Sequence, residues 1–234
     1  ELFWHNVENY RDDITMWRKQ RGVWESHTWG DYGNWSRDIG HALIAEGLKP
    51  GDKISILSET RMEWVVLDMA IMGIGCITAP VYPSNTEEQV KYIVKHSESK
   101  VVFAEDQEQL DKMLVIWKDL PMVKKIVVID KYYPRNLPNV ISLDGYRDLG
   151  QLHRGENTGK FEERLKLVKP NDIISFTYTS GTTGNPKAGM FNSKNVITVA
   201  KNLPDMLPTY RTDLGISYLP LSHIAERLLG HFIK

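Results

Sequence analysis

Between residues 53 and 130, short apolar runs alternate with longer segments whose apolar positions recur at helical spacing. The short runs (53–57, 76–81, 100–104 and 124–129) are rich in Ile and Val, as buried strands are. The segments between them read as helices. Residues 60–71, opened by Thr60, are apolar nearly all round and are predicted to be buried; 107–120 stops at Pro121. Ser84-Asn85-Thr86-Glu87 has capping-box spacing, and Val90, Ile93 and Val94 follow on one helix face. Strand and helix alternate four times, the pattern of an α/β domain with a largely parallel sheet and helices on its faces.

Upstream, Asp31 can cap a helix over 31–46 that presents Ile39, Leu43 and Ile44 on one face and ends at Gly47. Residues 23–29 alternate loosely, like a strand. Downstream, the rhythm breaks over 131–170. A loop at 132–139 precedes a short strand at 140–142; Asp144 can cap a helix that Asn157-Thr158-Gly159 breaks, and 166–171 leads into another strand. This stretch reads as a connection between two sheet units, about 28–130 and 171–234. The second unit is expected to hold a helix from Asn192 or Ser193 to about residue 201, interruptions at Pro204 and Pro208, a strand over 214–219 and a helix from Ser222.

Composition narrows the picture modestly. With 234 residues, 41% hydrophobic and 25% charged, the chain is an ordinary globular sequence, and a net charge of −1 gives no nucleic-acid footprint. One cysteine, Cys76, sits in an apolar run; it reads as a small buried hydrophobe in a reducing, cytoplasmic compartment. No apolar run has transmembrane length, which leaves peripheral contact at an inner membrane surface open. Five of the seven tryptophans fall within the first 35 residues. They suit either a membrane-surface belt or packing of an N-terminal hairpin and helix, and the lack of a basic amphipathic stretch favours packing. The chain begins at Glu1 and ends inside an expected helix at Lys234, so a piece of a longer protein is expected. Oligomeric state leaves no trace in the sequence.

The most informative stretch runs from Phe176 to Lys187. An apolar run feeds six consecutive small or hydroxyl residues, Thr179-Ser180-Gly181-Thr182-Thr183-Gly184, followed by Asn185-Pro186-Lys187. Gly181 and Gly184 let the backbone approach a ligand, the hydroxyls donate or accept, and Lys187 brings a point charge suited to phosphate oxygens. Successive N–H groups in such a loop can form an anion nest. The alternative is a Ser/Thr/Gly surface turn with no ligand. The helix-opening P-loop does not fit, because only two residues separate Gly181 from Gly184 and Pro186 keeps Asn185 away from the α region. Strand, flexible loop, strand is the expected local structure.

A second constellation lies at 217–227, where His223 falls at an expected strand-to-helix junction and Glu226, three residues on, shares its helix face. Sites in α/β sheets gather at the carboxyl ends of strands, so His223 suits a place beside an anion or a substrate carboxylate. It equally suits a helix cap paired to Glu226.

Tyr178 to Lys187 resembles the Y-T-S-G-T-T-G-x-P-K signature of adenylate-forming enzymes at all ten positions. Leu219-Pro220-Leu221-Ser222-His223-Ile224-Ala225-Glu226 resembles the L-P-L-x-H-x-x-E motif of long-chain fatty acyl-CoA synthetases. The likeness spans about residues 20–234. It departs at Ala188, where the family usually has Gly, and at Asn192-Ser193, where a Thr-His or Ser-His pair is common.

The resemblance implies a layered α/β/α fold, incomplete here and matching the N-terminal part of such an enzyme. It implies activation of a long-chain fatty acid by ATP to acyl-AMP and then transfer to coenzyme A, with Mg²⁺. Thr179, Ser180, Gly181, Thr182, Thr183, Gly184 and Lys187 would contact ATP phosphates, and Ser180 or Thr183 the metal. His223 would line the acyl-adenylate site, with Glu226 beside it; Lys187 and His223 are the implied catalytic residues. The family's later acidic metal motif, ribose-binding Asp and C-terminal Lys lie beyond the equivalent of Lys234, so these residues alone are expected not to complete the reaction. The competing readings are a ligase for another carboxylic acid, a P-loop phosphotransferase and a non-catalytic nucleotide-binding module.

Overall fold

A computed structural model of the chain describes residues 2–131, 137, 139–179, 185–206, 208, 210 and 213–232, the side chains of 204–206 and 229 excepted. Helix α1 (Leu2–Asn9) leads into an antiparallel hairpin, β1 (Ile14–Gln20) and β2 (Val23–Thr28). Helix α2 (Trp29–Ala45) follows, then β3 (Lys53–Leu57), α3 (Met62–Gly73), β4 (Ile77–Val81), α4 (Glu87–Ser97), β5 (Ser99–Ala104), α5 (Gln107–Ile116) with a 3₁₀ turn at Trp117–Asp119, and β6 (Lys125–Val128). The described strands from β3 onward form one seven-stranded sheet. All of its pairs among β3 to β8 are parallel. Layering follows from alternation within strands that are apolar throughout. Val101 and Phe103 of β5 and Val127 of β6 face a core shared with α2 and α3, whereas Val102, Ala104, Ile126 and Val128 face a second core shared with α4 and α5.

Several element starts differ from expectation because a neighbouring polar residue makes the better cap. Thr28, not Asp31, caps α2: its hydroxyl accepts from the Asp31 N–H, and the Asp31 carboxylate accepts from the Thr28 N–H. The box opening α4 joins Thr86 to Gln89 rather than Ser84 to Glu87. Ser142 caps the helix expected to start at Asp144. Thr60 caps nothing; α3 starts at Met62, and the Thr60 hydroxyl is spent on a distant segment. Gly47, with φ near +80°, does end α2.

Residues 140–167 form β7 (Val140–Ser142), α6 (Leu143–Glu156) and an unexpected helix, α7 (Lys160–Leu167). Next come β8 (Ile173–Thr179), β9 (Lys187–Asn192) and α8 (Ser193–Met206). Rather than opening a second sheet unit, β8 joins the first through one parallel pair, Thr78↔Ser175. Pro80 supplies no N–H in this stretch of β4, and the ladder there is short. Asn192 caps α8 through reciprocal bonds with Asn195, and α8 continues through Pro204 instead of stopping near 201. The strand expected over 214–219 is absent. Leu214, Ile216 and Tyr218 alternate as a strand would, but they are 76–88% exposed and no neighbouring strand offers them an edge.

The tryptophans divide. Trp4 is buried and Trp29 and Trp35 are half-buried, as packing requires, but Trp17 and Trp24 are 51% and 60% exposed on the hairpin. Cys76 is buried, donates to the Lys49 carbonyl at 3.3 Å and has its pKa pushed up by burial to about 12. Iodoacetamide should therefore leave Cys76 unmodified at pH 8 until the chain is unfolded in urea. Labelling at the rate of a free thiol in native buffer would refute its burial.

Candidate functional site

The two sequence constellations meet at one edge of the sheet. β8 runs parallel to β3 and β4, so the loop leaving Thr179 emerges at the same carboxyl edge as the ends of those strands. Ser180 to Gly184 lie outside the described residues, but both flanks of the loop are fixed. Thr179 pairs across the antiparallel β8–β9 ladder with Lys187, which makes the arrangement strand, loop, strand. Lys187 opens a strand where a P-loop lysine opens a helix. It is exposed and makes no ion pair with a described residue. Ala188 sits opposite Tyr178 in regular ladder, where no glycine is required.

Helix α4 braces both flanks. The Tyr92 hydroxyl donates to the Pro186 carbonyl at 3.2 Å, and the His96 Nδ1 is 3.0 Å from the Tyr178 hydroxyl. Burial pushes the Tyr178 phenol up to about 12, so it stays a neutral hydrogen-bonding group. A cleft of about 620 Å³ opens here, lined by Lys53, Tyr92, His96, Asn185 and Lys187.

The second constellation is laid across the ends of β3 and β4. The Thr60 hydroxyl, just past β3, donates to the Leu219 carbonyl at 2.5 Å and accepts from the Leu221 N–H at 3.0 Å. The Ser222 hydroxyl donates to the carbonyl of Val81, the last residue of β4, at 3.4 Å. His223 is exposed and caps a short helix, α9 (Ile224–Glu226), its Nδ1 accepting from the Ala225 N–H at 3.2 Å. Glu226 is buried and accepts from the Ser217 hydroxyl at 2.5 Å; no hydrogen bond joins it to His223. Capping was thus legible in the sequence, whereas the His223–Glu226 pair was not formed.

Sequence reasoning missed the group that anchors this segment. Beyond α9 the chain winds into a π-helical stretch, Arg227–Phe232. Arg227 is fully buried, and its Nη2 reaches both carboxylate oxygens of Asp68 on α3 at 2.7 Å. Its Nη1 donates to Ser175 of β8. Thr78 of β4 donates to Asp68 at 2.6 Å, and His231 lies 3.2 Å from the same carboxylate. Burial would raise the Asp68 pKa, but the Arg227 charge and hydrogen bonds, with the His231 ring close by, hold it down at about 2. Asp68 is the lone acid in an otherwise apolar run, and a charge there needs a buried partner; that was the available signal.

Among the described residues, no cluster of three or more His, Cys, Asp or Glu could hold a metal ion. Both hydroxyls assigned to Mg²⁺, Ser180 and Thr183, lie outside the described residues.

Comparison with known proteins shows what the chain resembles as a whole. The AMP-binding enzyme family matches residues 3–233. A long-chain-fatty-acid–CoA ligase of Bos taurus is 30% identical over 233 residues, covering 97% of this chain and 32% of that protein. One of Mycobacterium bovis is 30% identical over 228 residues, covering 95% and 36% respectively. The chain thus spans about a third of the length of these relatives. A solved structure from Rhodopseudomonas palustris, provisionally assigned as a long-chain-fatty-acid CoA ligase, superposes with a TM-score of 0.81 at 20% identity, covering 99% of this chain and 53% of that one. At that identity the likeness speaks for the fold.

Proposed function

The chain belongs to the AMP-binding enzyme family, and from that premise we propose that it forms part of a ligase that activates a long-chain fatty acid with ATP and passes it to coenzyme A. The observation that carries the reading is the meeting of the loop flanks and the His223 segment at one carboxyl edge of the sheet. In the first step a carboxylate oxygen bonds to the α-phosphorus of ATP, the bond to the β-phosphate oxygen breaks, and pyrophosphate leaves. In the second, the thiolate of coenzyme A attacks the acyl carbon and AMP leaves. Negative charge grows on the departing pyrophosphate, where the Lys187 ammonium and the hydroxyl and N–H donors of 179–184 act. His223, exposed at the same edge, lines the adenylate site, and Glu226 and Ser217 hold the backbone beneath it. Mg²⁺, held by Ser180 or Thr183, would neutralise phosphate charge. A buried thiol and the lack of a helix long and apolar enough to cross a membrane, among the described residues, fit a cytoplasmic enzyme.

Lys187→Ala in the intact ligase should slow ATP–pyrophosphate exchange by roughly 10²-fold or more. The melting temperature should stay unchanged, because the side chain is exposed and unpaired among described residues. His223→Ala should slow exchange beyond the ~1 kcal/mol of stability that losing a helix cap costs. Normal exchange in Lys187→Ala removes it from the site, and an exchange optimum with short or aromatic acids would transfer the protein to another branch of the family.

A further inference from the structure

The β1–β2 hairpin stands apart from the seven-stranded sheet and has two unlike faces. Cross-strand partners Trp17↔Ser26 and Lys19↔Trp24 project to the same side, because directly opposed residues and alternate positions share a face. The opposite side is docked on the body. There Arg18 joins Glu63 of α3 at 3.0 Å and Glu25 at 2.9 Å, and His27 meets the Trp35 ring of α2 edge-on at 5.1 Å. The outer side therefore presents Trp17 and Trp24, each more than half exposed, with the Lys19 ammonium 5.9 Å from the Trp24 ring. Val23, 65% exposed, and Arg21 sit at the turn. From Trp17 to Trp24 there are three basic residues and no acidic one. Arg18 is neutralised, whereas Lys19 and Arg21 make no ion pair with a described residue.

We propose that this hairpin face docks on an anionic lipid surface, Trp17 and Trp24 entering the headgroup layer and Lys19 and Arg21 meeting lipid phosphates. Tryptophan carries an apolar body and one N–H donor, and it favours the boundary between water and acyl chains. Uncompensated cations beside the rings complement a negative leaflet. One face of a two-stranded ribbon is small beside the roughly 800 Å² per partner of a stable protein interface, and this favours lipid over a second protein. The inference is independent of the ligase reading, since it invokes no nucleotide and no turnover.

Cosedimentation of the 234-residue chain with phosphatidylcholine vesicles, with and without phosphatidylglycerol, tests it. Binding should require the anionic lipid and weaken as salt rises. Trp17→Ala with Trp24→Ala should lower the partition coefficient at least about tenfold. Lys19→Glu with Arg21→Glu should remove the preference for phosphatidylglycerol, each lost charge accounting for about fivefold. Both pairs are exposed, so thermal melts should match the parent. Absence of partitioning into either vesicle would overturn the proposal, as would binding that both double variants leave intact. So would a dimer in size-exclusion chromatography that the Trp17→Ala/Trp24→Ala variant dissolves, because the face would then belong to a second copy.

Discussion

Arg227→Met should lower unfolding stability by about 3–5 kcal/mol, because it leaves the Asp68 carboxylate buried without its counter-charge. Asp68→Asn should cost a similar amount by stranding the guanidinium. The pair matters beyond its own Coulomb energy because of where it lies. β8 joins β4 through the single pair Thr78↔Ser175, and side chains reinforce that seam. The Ser175 hydroxyl donates to the Thr78 carbonyl at 3.1 Å, Thr78 donates to Asp68, and Arg227 bridges Asp68 and Ser175. The guanidinium also lies 5.2 Å from the Trp64 ring and 5.3 Å from that of Phe232. Loss of Arg227 should thus raise hydrogen exchange first in β8, β9 and 217–232, while β3, β5 and β6 keep their protection. Asp68→Leu combined with Arg227→Met should recover much of the loss, since an apolar pair carries no stranded charge. Acid gives an independent test. The native Asp68 pKa of about 2 lies below the ordinary 3.8, so the unfolded chain takes up the proton first. Its contribution is complete only above about pH 5, falls away as pH drops through the unfolded value towards about 2, and should be absent from the Asp68→Leu/Arg227→Met variant. Equal stability of Arg227→Met and the parent would show that the pair does not hold the seam.

What the sequence disclosed follows from how each signal arises. The strands over 53–130 were legible because a parallel strand buried on both faces must be apolar throughout, and Ile54, Ile56, Val101, Val102 and Phe103 leave no other reading. Cap positions were not, because Thr28 and Asp31, or Thr86 and Gln89, work as reciprocal pairs and either member resembles a start signal. The alternation over 214–219 forms no strand for a different reason: it marks a face to be covered, while pairing needs an edge that only tertiary structure supplies. The loop's flanks and Lys187 could be placed from spacing and Pro186 alone, whereas Arg227–Asp68 joins residues 159 positions apart. No local pattern encodes such a contact. Only an acid stranded in an apolar helix hints that a partner exists.

Helix α7 escaped notice because, of its eight residues, only Phe161 is buried, and that one side chain defines the second large effect. Phe161→Ala should cost about 3–5 kcal/mol, at the upper end for a large core truncation. The ring is fully buried in a notch floored by Gly40 of α2 and Gly73 of α3, where an added Cβ at either glycine would overlap it. Trp4 of α1 closes the notch edge-on at 5.0 Å, and the His41 ring lies 6.2 Å away. Three helices, α1, α2 and α3, therefore close on one side chain of α7, and the two glycines make room for it. The site can collapse little, because backbone forms its floor, so the cavity term should be nearly complete. Gly40→Ala alone should destabilise by about 1–3 kcal/mol through overpacking. Placed together with Phe161→Ala, the new methyl enters vacated space. The double variant should then be more stable than the sum of its parts, by an interaction energy of about 1 kcal/mol or more. Urea midpoints at constant m-value measure all three. Strict additivity would mean that the ring and the glycine are independent, and α7 would then be held by its surface ion pairs, Arg37 with Glu162 among them. Such partly exposed pairs typically contribute less than about 1 kcal/mol, too little to fix a helix of this length.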